Sequence, residues 1–377
     1  MLYNWSNKDI LNDIKELEKK LESEKNIEKK AYYVKVIDCM NSLLMDDELS
    51  KLNIKTLKSN ILYDIADAQK CKDRYYKLCE IFHILCYPYV DRRNSLYEEA
   101  LEFIPNTDTI PDEEIMTLIH DSYYNVDDEL YKYFMELYKN RHTSIRFQDE
   151  IESLDAHEID GSCIYVDIIR KNYIQVYDEN GVYKLINTAH EVGHAVANLY
   201  NSKAVYNRLD DFLAEVPSLF FELVISHDVA RNINPFETAY KNLETFSEYY
   251  NYASLLSLHN YLVDSWFNNN NKANKEYYRE LKSIYKLTRS KVDEALNTSL
   301  EIDGPYVIGY MIALELFNIY KQDKKSAIRL LKEMLKDYSN DSYCVIQKLF
   351  PYLSNFNKEV EIIENDLQSE VKKMYIK

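Results

Sequence analysis

Residues Asn187 to Val196 read Asn-Thr-Ala-His-Glu-Val-Gly-His-Ala-Val and contain the pattern His-Glu-x-x-His. Residues four positions apart lie on one face of an α-helix, one turn from each other. On a helix, His190 and His194 would therefore direct their imidazoles toward a common point, where both can bind Zn²⁺ at about 2.0–2.1 Å. Glu191 would reach a water molecule near that ion and act as a general base, which is the metalloprotease arrangement.

The flanking sequence predicts that this motif lies on a helix that follows two β-strands. Apolar residues recur near helical spacing between Leu185 and Tyr200. Residues 178–181 read Asp-Glu-Asn-Gly, which is a turn signal, and two β-rich runs precede it, Cys163–Ile169 and Tyr173–Tyr177. This order would place a peptide-binding strand beside a metal. The alternative interpretation is a buried helix whose two histidines have other hydrogen-bond partners.

A catalytic zinc site needs a third protein ligand, with the fourth position left open. The best candidate is Glu215, which lies in a strongly apolar segment, where an ionised carboxylate is costly unless it is paired or bound to a metal. Glu222 follows seven positions later on the same helix face and could accept a hydrogen bond from a zinc-bound histidine. The alternatives are a helix-surface role for Glu215 and a solvated or capping role for Glu222.

Three segments together resemble the thimet oligopeptidase and oligoendopeptidase F family of zinc metallopeptidases, of which this chain would be a short member. They are His190-Glu191-Val192-Gly193-His194-Ala195, then Glu215-Val216-Pro217-Ser218, then Gly304-Pro305-Tyr306-Val307-Ile308-Gly309-Tyr310. The resemblance covers roughly residues 160–320. The chain departs from the family in two ways. Residues 296–305 lack the histidine that usually precedes the tyrosines, and the chain is short.

The resemblance implies a mainly α, zincin-type fold with a small β-sheet beside the active-site helix and two lobes around a cleft that admits short peptides. It also implies one Zn²⁺ per chain, held by His190, His194 and Glu215, with Glu191 as the base in peptide hydrolysis. The strand that begins at Gly161, Ser162 and Cys163 could bind the peptide as an added strand.

Tyr306 and Tyr310 are the candidate donors to the oxyanion that forms when water attacks a peptide carbonyl. Four positions apart on a helix, they would present two phenols on one face. With 35 tyrosines in the chain, the alternative is that both belong to the helix core. His259 and His157 are the next candidates, since they are the two remaining histidines that could approach the cleft.

Composition excludes several classes of protein. The 377 residues carry 63 acidic and 46 basic side chains, a net charge of −17, which argues against nucleic-acid binding. The N-terminal residues lack the apolar core of a signal peptide, and no run of eighteen apolar residues predicts a membrane helix. Six cysteines without scaffold spacing indicate reduced thiols, so we expect a cytoplasmic protein that binds neither nucleic acid nor membrane. The sequence does not indicate the oligomeric state.

Helical periodicity predicts a helical N-terminal lobe over residues 1–150 and a catalytic lobe with the zinc site over 151–377, together one compact unit. Predicted helices of the first lobe include 11–21, 31–44, 57–68, 75–85, 95–103 and 130–138. Those of the second include 238–252, 255–267, 276–287, 290–296, 306–320, 326–336 and 359–373. All five glycines lie between Gly161 and Gly309, around the predicted site, where close backbone approach is expected.

The sequence thus predicts a zinc-dependent metallopeptidase of short peptides. One alternative is a non-catalytic peptide-binding or interaction protein with a vestigial metal site. A second is a zinc carboxypeptidase of related helical fold, which would need a group that holds the terminal carboxylate of the substrate. No such group is evident in the sequence.

Overall fold

Helices dominate the part of the chain that the computed structural model describes. The described residues are 7–25, 30, 33–34, 37, 40, 75–76, 78–83, 86, 90–103, 109–139, 143–148, 161–166, 171–177, 181–200, 211–267, 291, 294–295, 297–298, 300–336 and 356–376. One small sheet lies between the helical segments. The predicted mainly α fold with a small β-sheet is therefore confirmed.

Before the sheet, the structure gives the bounds of four helices. They are α1 (Asn7–Ser23), α2 (Val90–Leu101), α3 (Asp112–Val126) and α4 (Asp128–Lys139). The start of α4 is fixed by Asp127, whose Oδ1 accepts the backbone N–H groups of Glu129 and Leu130 at 3.1 and 3.0 Å. A carboxylate in this position stabilises a helix because it satisfies N–H groups that have no partner within the first turn.

The sheet has three strands, β1 (Thr143–Gln148), β2 (Gly161–Val166) and β3 (Lys171–Tyr177). Their order is β1-β3-β2, with β1 parallel and β2 antiparallel to β3. Strand β2 is thus at an edge of the described sheet. The central strand β3 is buried on both faces, since Tyr173, Ile174 and Val176 are all 0% exposed.

Two helices after the sheet carry the candidate metal ligands. Helix α5 (Gly181–Tyr200) begins at Gly181, whose φ of 63° is a backbone conformation that favours glycine. It contacts both β2 and β3. Helix α6 (Asp211–Ile225) packs against α5 and continues into a π-helix, Ser226–Ala230, and one further turn, Arg231–Ile233.

Four further helices with given bounds follow in the chain. They are α7 (Pro235–Phe267), α8 (Leu300–Gln322), α9 (Lys324–Lys336) and α10 (Phe356–Ile376). Helices α5 and α8 both contact α6, so α6 is the centre of the apolar core at this end. None of the described helices is long and apolar enough to cross a membrane.

Several predicted elements differ from the structure. Helix α7 is one helix where two were predicted, because no glycine or proline interrupts residues 236–267. Strand β1 and helix α3 were not predicted. The predicted helices at 57–68 and 276–287, and His157, lie outside the described residues. Among the described residues, Cys79, Cys86 and Cys163 are free cysteines.

Candidate metal centre

The ring nitrogens of His190 and His194 and a carboxylate oxygen of Glu215 meet at one point between α5 and α6. The Oε2 atom of Glu215 lies 3.4 Å from Nε2 of His190 and 3.3 Å from Nε2 of His194. One ligand atom from each residue lies within 4.8 Å of the other two. These separations suit three ligands around a single ion, since zinc bonds nitrogen and oxygen at about 2.0–2.2 Å.

Two glycines allow the three helices to approach closely enough to form this cluster. A Cβ added at Gly193 of α5 would lie 2.7 Å from the Cα of Ser218 in α6, so the two helices touch backbone to backbone. A Cβ added at Gly309 of α8 would lie 2.7 Å from the Cβ of Glu215. A larger residue at either position would push α6, which carries Glu215, away from α5 or from α8. The expected concentration of close approaches around the site is therefore observed at these positions.

Helix α6 also orients the Glu215 carboxylate from within. The Oγ of Ser218, which is fully buried, lies 2.8 Å from the backbone oxygen of Glu215 and 3.3 Å from its Oε2. Pro217 has no N–H, so the helix lacks one backbone hydrogen bond at this turn. The Ser218 hydroxyl is thus a hydrogen-bond donor beside the candidate ligand, a role that its sequence context does not reveal.

Glu191 lies next to strand β2. It is only 6% exposed, and a Cβ added at Gly161 would lie 2.8 Å from its Oε1 and 3.0 Å from its Cγ. Gly161 thus leaves the space that the carboxylate of Glu191 occupies. The structure brings the candidate base, the edge strand and the two histidines of α5 to the same region.

Glu222 connects His190 to helix α7. Its Oε2 accepts a hydrogen bond from Nδ1 of His190 at 3.1 Å, and its Oε1 accepts one from Oγ1 of Thr245 at 3.4 Å. Both Glu222 and Thr245 are 6% exposed. With Nδ1 as donor, the Nε2 atom of His190 is left as the candidate ligand atom that faces Glu215.

The electrostatics of the cluster stabilise positive charge. Burial alone would raise the pKa of Glu215, but the attraction of His194 and hydrogen bonds from both histidines hold it well below its usual value. Burial alone would lower the pKa of His190, but hydrogen bonds to Glu215 and Glu222 raise it well above its usual value. The site therefore keeps an ionised carboxylate and stabilises positive charge beside it, in a buried environment.

The two candidate tyrosines differ in their surroundings. Tyr310 is 1% exposed and belongs to the core, whereas Tyr306 is half-buried. The pKa of Tyr306 is raised above its usual value, first by the negative charge of Glu215, then by burial and by Glu191. Tyr306 is therefore within the electrostatic field of the candidate metal centre and stays a neutral hydrogen-bond donor.

The remaining candidates lie near the sheet or farther away. Ser162 and Cys163 follow Gly161 on β2, and both are half-buried. The pKa of the Cys163 thiol is raised well above its usual value, first by burial and then by Glu191 and Glu215. His259 donates from Nδ1 to the backbone oxygen of Ala295 at 2.8 Å and stacks on a tyrosine ring, which indicates a structural role.

Two residues of α7, Thr245 and Tyr249, lie at this site and were not identified from the sequence. Tyr249 is 7% exposed, and its ring contacts those of both Tyr306 and Tyr310. Their spacing of four residues is a helix-face signal, but α7 carries so many tyrosines and polar residues that this pair does not stand out in the sequence.

Comparison with known proteins identifies similar folds. No family model matches the chain. No curated protein matches it either. A candidate peptidase from Chlamydophila abortus superposes with a TM-score of 0.60 at 14% identity, over 79% of this chain and 55% of that one. A candidate oligoendopeptidase F from Bacillus anthracis str. Ames gives 0.53 at 12% identity, over 96% and 62%. Pz peptidase A, solved with an inhibitor, gives 0.50 at 12% identity, over 94% and 66%.

The chain therefore shares the fold of oligoendopeptidase F structures, as the sequence motifs suggested. It spans between 55% and 66% of the length of these three solved structures. At 12–14% identity the likeness concerns the fold, and the chemistry has to be argued from the residues of this chain.

Proposed function

We propose that the protein is a zinc-dependent metallopeptidase that hydrolyses peptide bonds in short peptides. The observation that carries this proposal is the convergence of His190, His194 and Glu215, with one Glu215 oxygen 3.3–3.4 Å from both Nε2 atoms. Two imidazoles and one carboxylate are the ligand set of a catalytic zinc site with an open position, so these residues fit the ion. The peptidase folds that the chain resembles support the same class of reaction.

The ion, one per chain, would supply Lewis-acid chemistry that polarises the scissile carbonyl and makes water a better nucleophile. Glu191 takes the proton of the attacking water and passes it to the leaving amine. Its carboxylate is buried against Gly161, so it meets the water in a fixed position and in a low-dielectric environment.

Two further groups bind the substrate in this proposal. Tyr306 donates its phenol O–H to the oxyanion that develops on the attacked carbonyl, since it is half-buried and within the field of Glu215. Tyr310 is fully buried and supports the helix instead. The edge strand β2, at Gly161, Ser162 and Cys163, pairs with the peptide backbone as an additional strand.

The deciding experiment measures zinc content and peptide cleavage on the same preparations. We expect one zinc per chain in the wild type and cleavage of a mixed peptide library, detected by mass spectrometry. Glu191→Gln should keep the zinc and lose nearly all hydrolysis because it cannot accept the proton. The matched control is Glu98→Gln, since Glu98 is an exposed glutamate of α2 far from the site in sequence.

Three other results would contradict parts of this proposal. Zinc content near zero in a folded wild type would favour a non-catalytic peptide-binding protein. Wild-type turnover in Glu191→Gln would exclude Glu191 as the base. Release of single C-terminal residues only, with no internal cleavage, would identify a carboxypeptidase and would replace the proposed oligopeptidase activity.

A further inference from the structure

Helix α7 contacts the candidate metal centre at two places. Thr245 contacts Glu222, the carboxylate that holds His190. One turn later on the same helix, Tyr249 contacts the ring of Tyr306. The metal-ligand side and the oxyanion side of the site are thus both supported by one helix that supplies no ligand itself.

The ring of Tyr249 contacts one fully buried tyrosine, Tyr310, and one half-buried tyrosine, Tyr306. Its centroid is 4.9 Å from that of Tyr310, tilted by 56°, and 6.0 Å from that of Tyr306, nearly parallel at 14°. Offset-stacked and tilted rings at 4.5–7 Å are the favoured aromatic arrangements. Tyr310 is 1% and Tyr249 is 7% exposed, so both are fixed by the core, while Tyr306 is half-buried.

We infer that Tyr249 is a positioning residue that holds the phenol of Tyr306 in place for the substrate. The inference rests on the proposed function, because it gives Tyr306 the role of oxyanion donor. A half-buried tyrosine can change its rotamer, and a flat ring stacked against one face removes that freedom.

The role of Tyr249 is assigned to its ring and not to its O–H. The near-parallel stacking requires an aromatic face, which phenylalanine also has. Tyr249→Phe should therefore keep kcat within about threefold of wild type, whereas Tyr249→Leu should lower kcat roughly 10- to 100-fold with little change in KM, as a misplaced catalytic group does. Zinc content should stay at one per chain in both variants.

A double-mutant cycle separates positioning from general damage. Tyr306→Phe removes the donor, so adding Tyr249→Leu to it should cost little more, because there is no phenol left to position. Tyr240→Leu is the matched control. Tyr240 is a buried tyrosine of the same helix, 6% exposed, and it stacks on Tyr97 instead of on the site. It should lower the melting temperature as much as Tyr249→Leu but leave kcat unchanged.

A second readout does not depend on turnover. With 3-fluorotyrosine at position 306 in the zinc-loaded protein, the ¹⁹F resonance should be narrow in the wild type and in Tyr249→Phe. In Tyr249→Leu it should broaden or split, as the ring gains rotamers. If Tyr249→Leu does not fold, Tyr249→Met provides a flexible apolar side chain of similar length for the same comparison.

The inference is overturned if Tyr249→Leu retains kcat within threefold of wild type, or if its effect adds fully to that of Tyr306→Phe. It is also overturned if Tyr249→Phe loses as much as Tyr249→Leu, because the O–H would then be the active group. If the wild type hydrolyses no peptide, the proposed function fails, and the ¹⁹F comparison alone decides whether Tyr249 restrains Tyr306.

Discussion

The Nδ1 atom of His190 lies 3.1 Å from Oε2 of Glu222, while the Nε2 atom of the same ring faces Glu215 at 3.4 Å. One helix, α6, thus contacts both ring nitrogens of a histidine on another helix. A carboxylate that accepts the Nδ1–H fixes the tautomer and the orientation of the ring, and it makes Nε2 a stronger ligand. Thr245 completes this arrangement from α7, because it donates to the other oxygen of Glu222.

The first prediction concerns the affinity of the zinc site. Glu222→Ala should weaken zinc binding roughly 10- to 100-fold, as the loss of such an outer carboxylate typically does. Thr245→Val keeps the side-chain shape but loses the donor, so we expect a decrease of about fivefold, which corresponds to one hydrogen bond. Thr245→Ser should retain near wild-type affinity. Competition with a chelator of known affinity measures all three.

The control for Thr245→Val is Thr238→Val on the same helix. Thr238 is also buried, at 2% exposed, but its Oγ1 donates to the backbone oxygen of Asn234 and has no contact with Glu222. Its replacement should leave zinc affinity unchanged. Equal zinc affinity in wild type and Thr245→Val would show that the orientation of His190 depends on Glu222 alone.

The clustering of His190, His194 and Glu215 could be predicted because it depends on short-range regularities. His190 and His194 share a helix face whatever the rest of the chain does, and an apolar segment makes an unpaired Glu215 costly. The mainly α fold also follows from periodicity over long segments. These features require no knowledge of which elements pack against each other.

The supporting contacts could not be predicted because they join distant parts of the chain. Thr245 and Tyr249 lie at the site only because α7 packs against α6 and α8. Their own sequence context is that of an ordinary helix. Strand β1 was missed because it pairs in parallel with β3, and a parallel partner need not follow a tight turn. Tyr306 and Tyr310 likewise differ in burial. Their spacing of four residues places both on one helix face, so the sequence does not reveal which of them is buried.

The second prediction concerns the space beside the base. Gly161→Ala would place a Cβ 2.8 Å from Oε1 of Glu191, which is the flexible end of a side chain and can move aside. The same Cβ would lie 3.1 Å from the backbone oxygen of Gln175, which has to shift by only a few tenths of an ångström. The fold and the zinc should therefore persist, while the displaced carboxylate should lower kcat roughly 10- to 100-fold. Melting temperature, zinc content and peptide turnover of the purified variant test this expectation.

Gly193→Ala provides the contrast for Gly161→Ala. Its added Cβ would lie 2.7 Å from the Cα of Ser218, so a helix backbone has to move. We expect a lower melting temperature and weaker zinc binding, since α5 and α6 carry the three candidate ligands between them. Peptide hydrolysis at the wild-type rate by Gly161→Ala would show that catalysis does not depend on the observed position of the Glu191 carboxylate.

The third prediction concerns acid sensitivity and depends on His83. This histidine is 3% exposed and stacks on Tyr250, with ring centroids 5.2 Å apart. Its pKa is lowered from 6.5 to about 4, mainly because burial disfavours the charged imidazole, and Lys291 adds to the effect while Glu80 opposes it. The unfolded chain therefore binds a proton at this residue below about pH 6.5, whereas the folded chain does so only near pH 4.

Stability must fall as the pH decreases across that window, since the unfolded state binds more protons there than the folded state. The titration of His83 should lower the free energy of unfolding by about 3 kcal/mol in total between roughly pH 6.5 and pH 4. His83→Phe keeps a ring against Tyr250 and cannot titrate, so its free energy of unfolding should depend less on pH across this range. Urea unfolding of both zinc-free proteins at half-unit pH steps measures the difference, and parallel curves for wild type and variant would show that His83 is not buried in its neutral form.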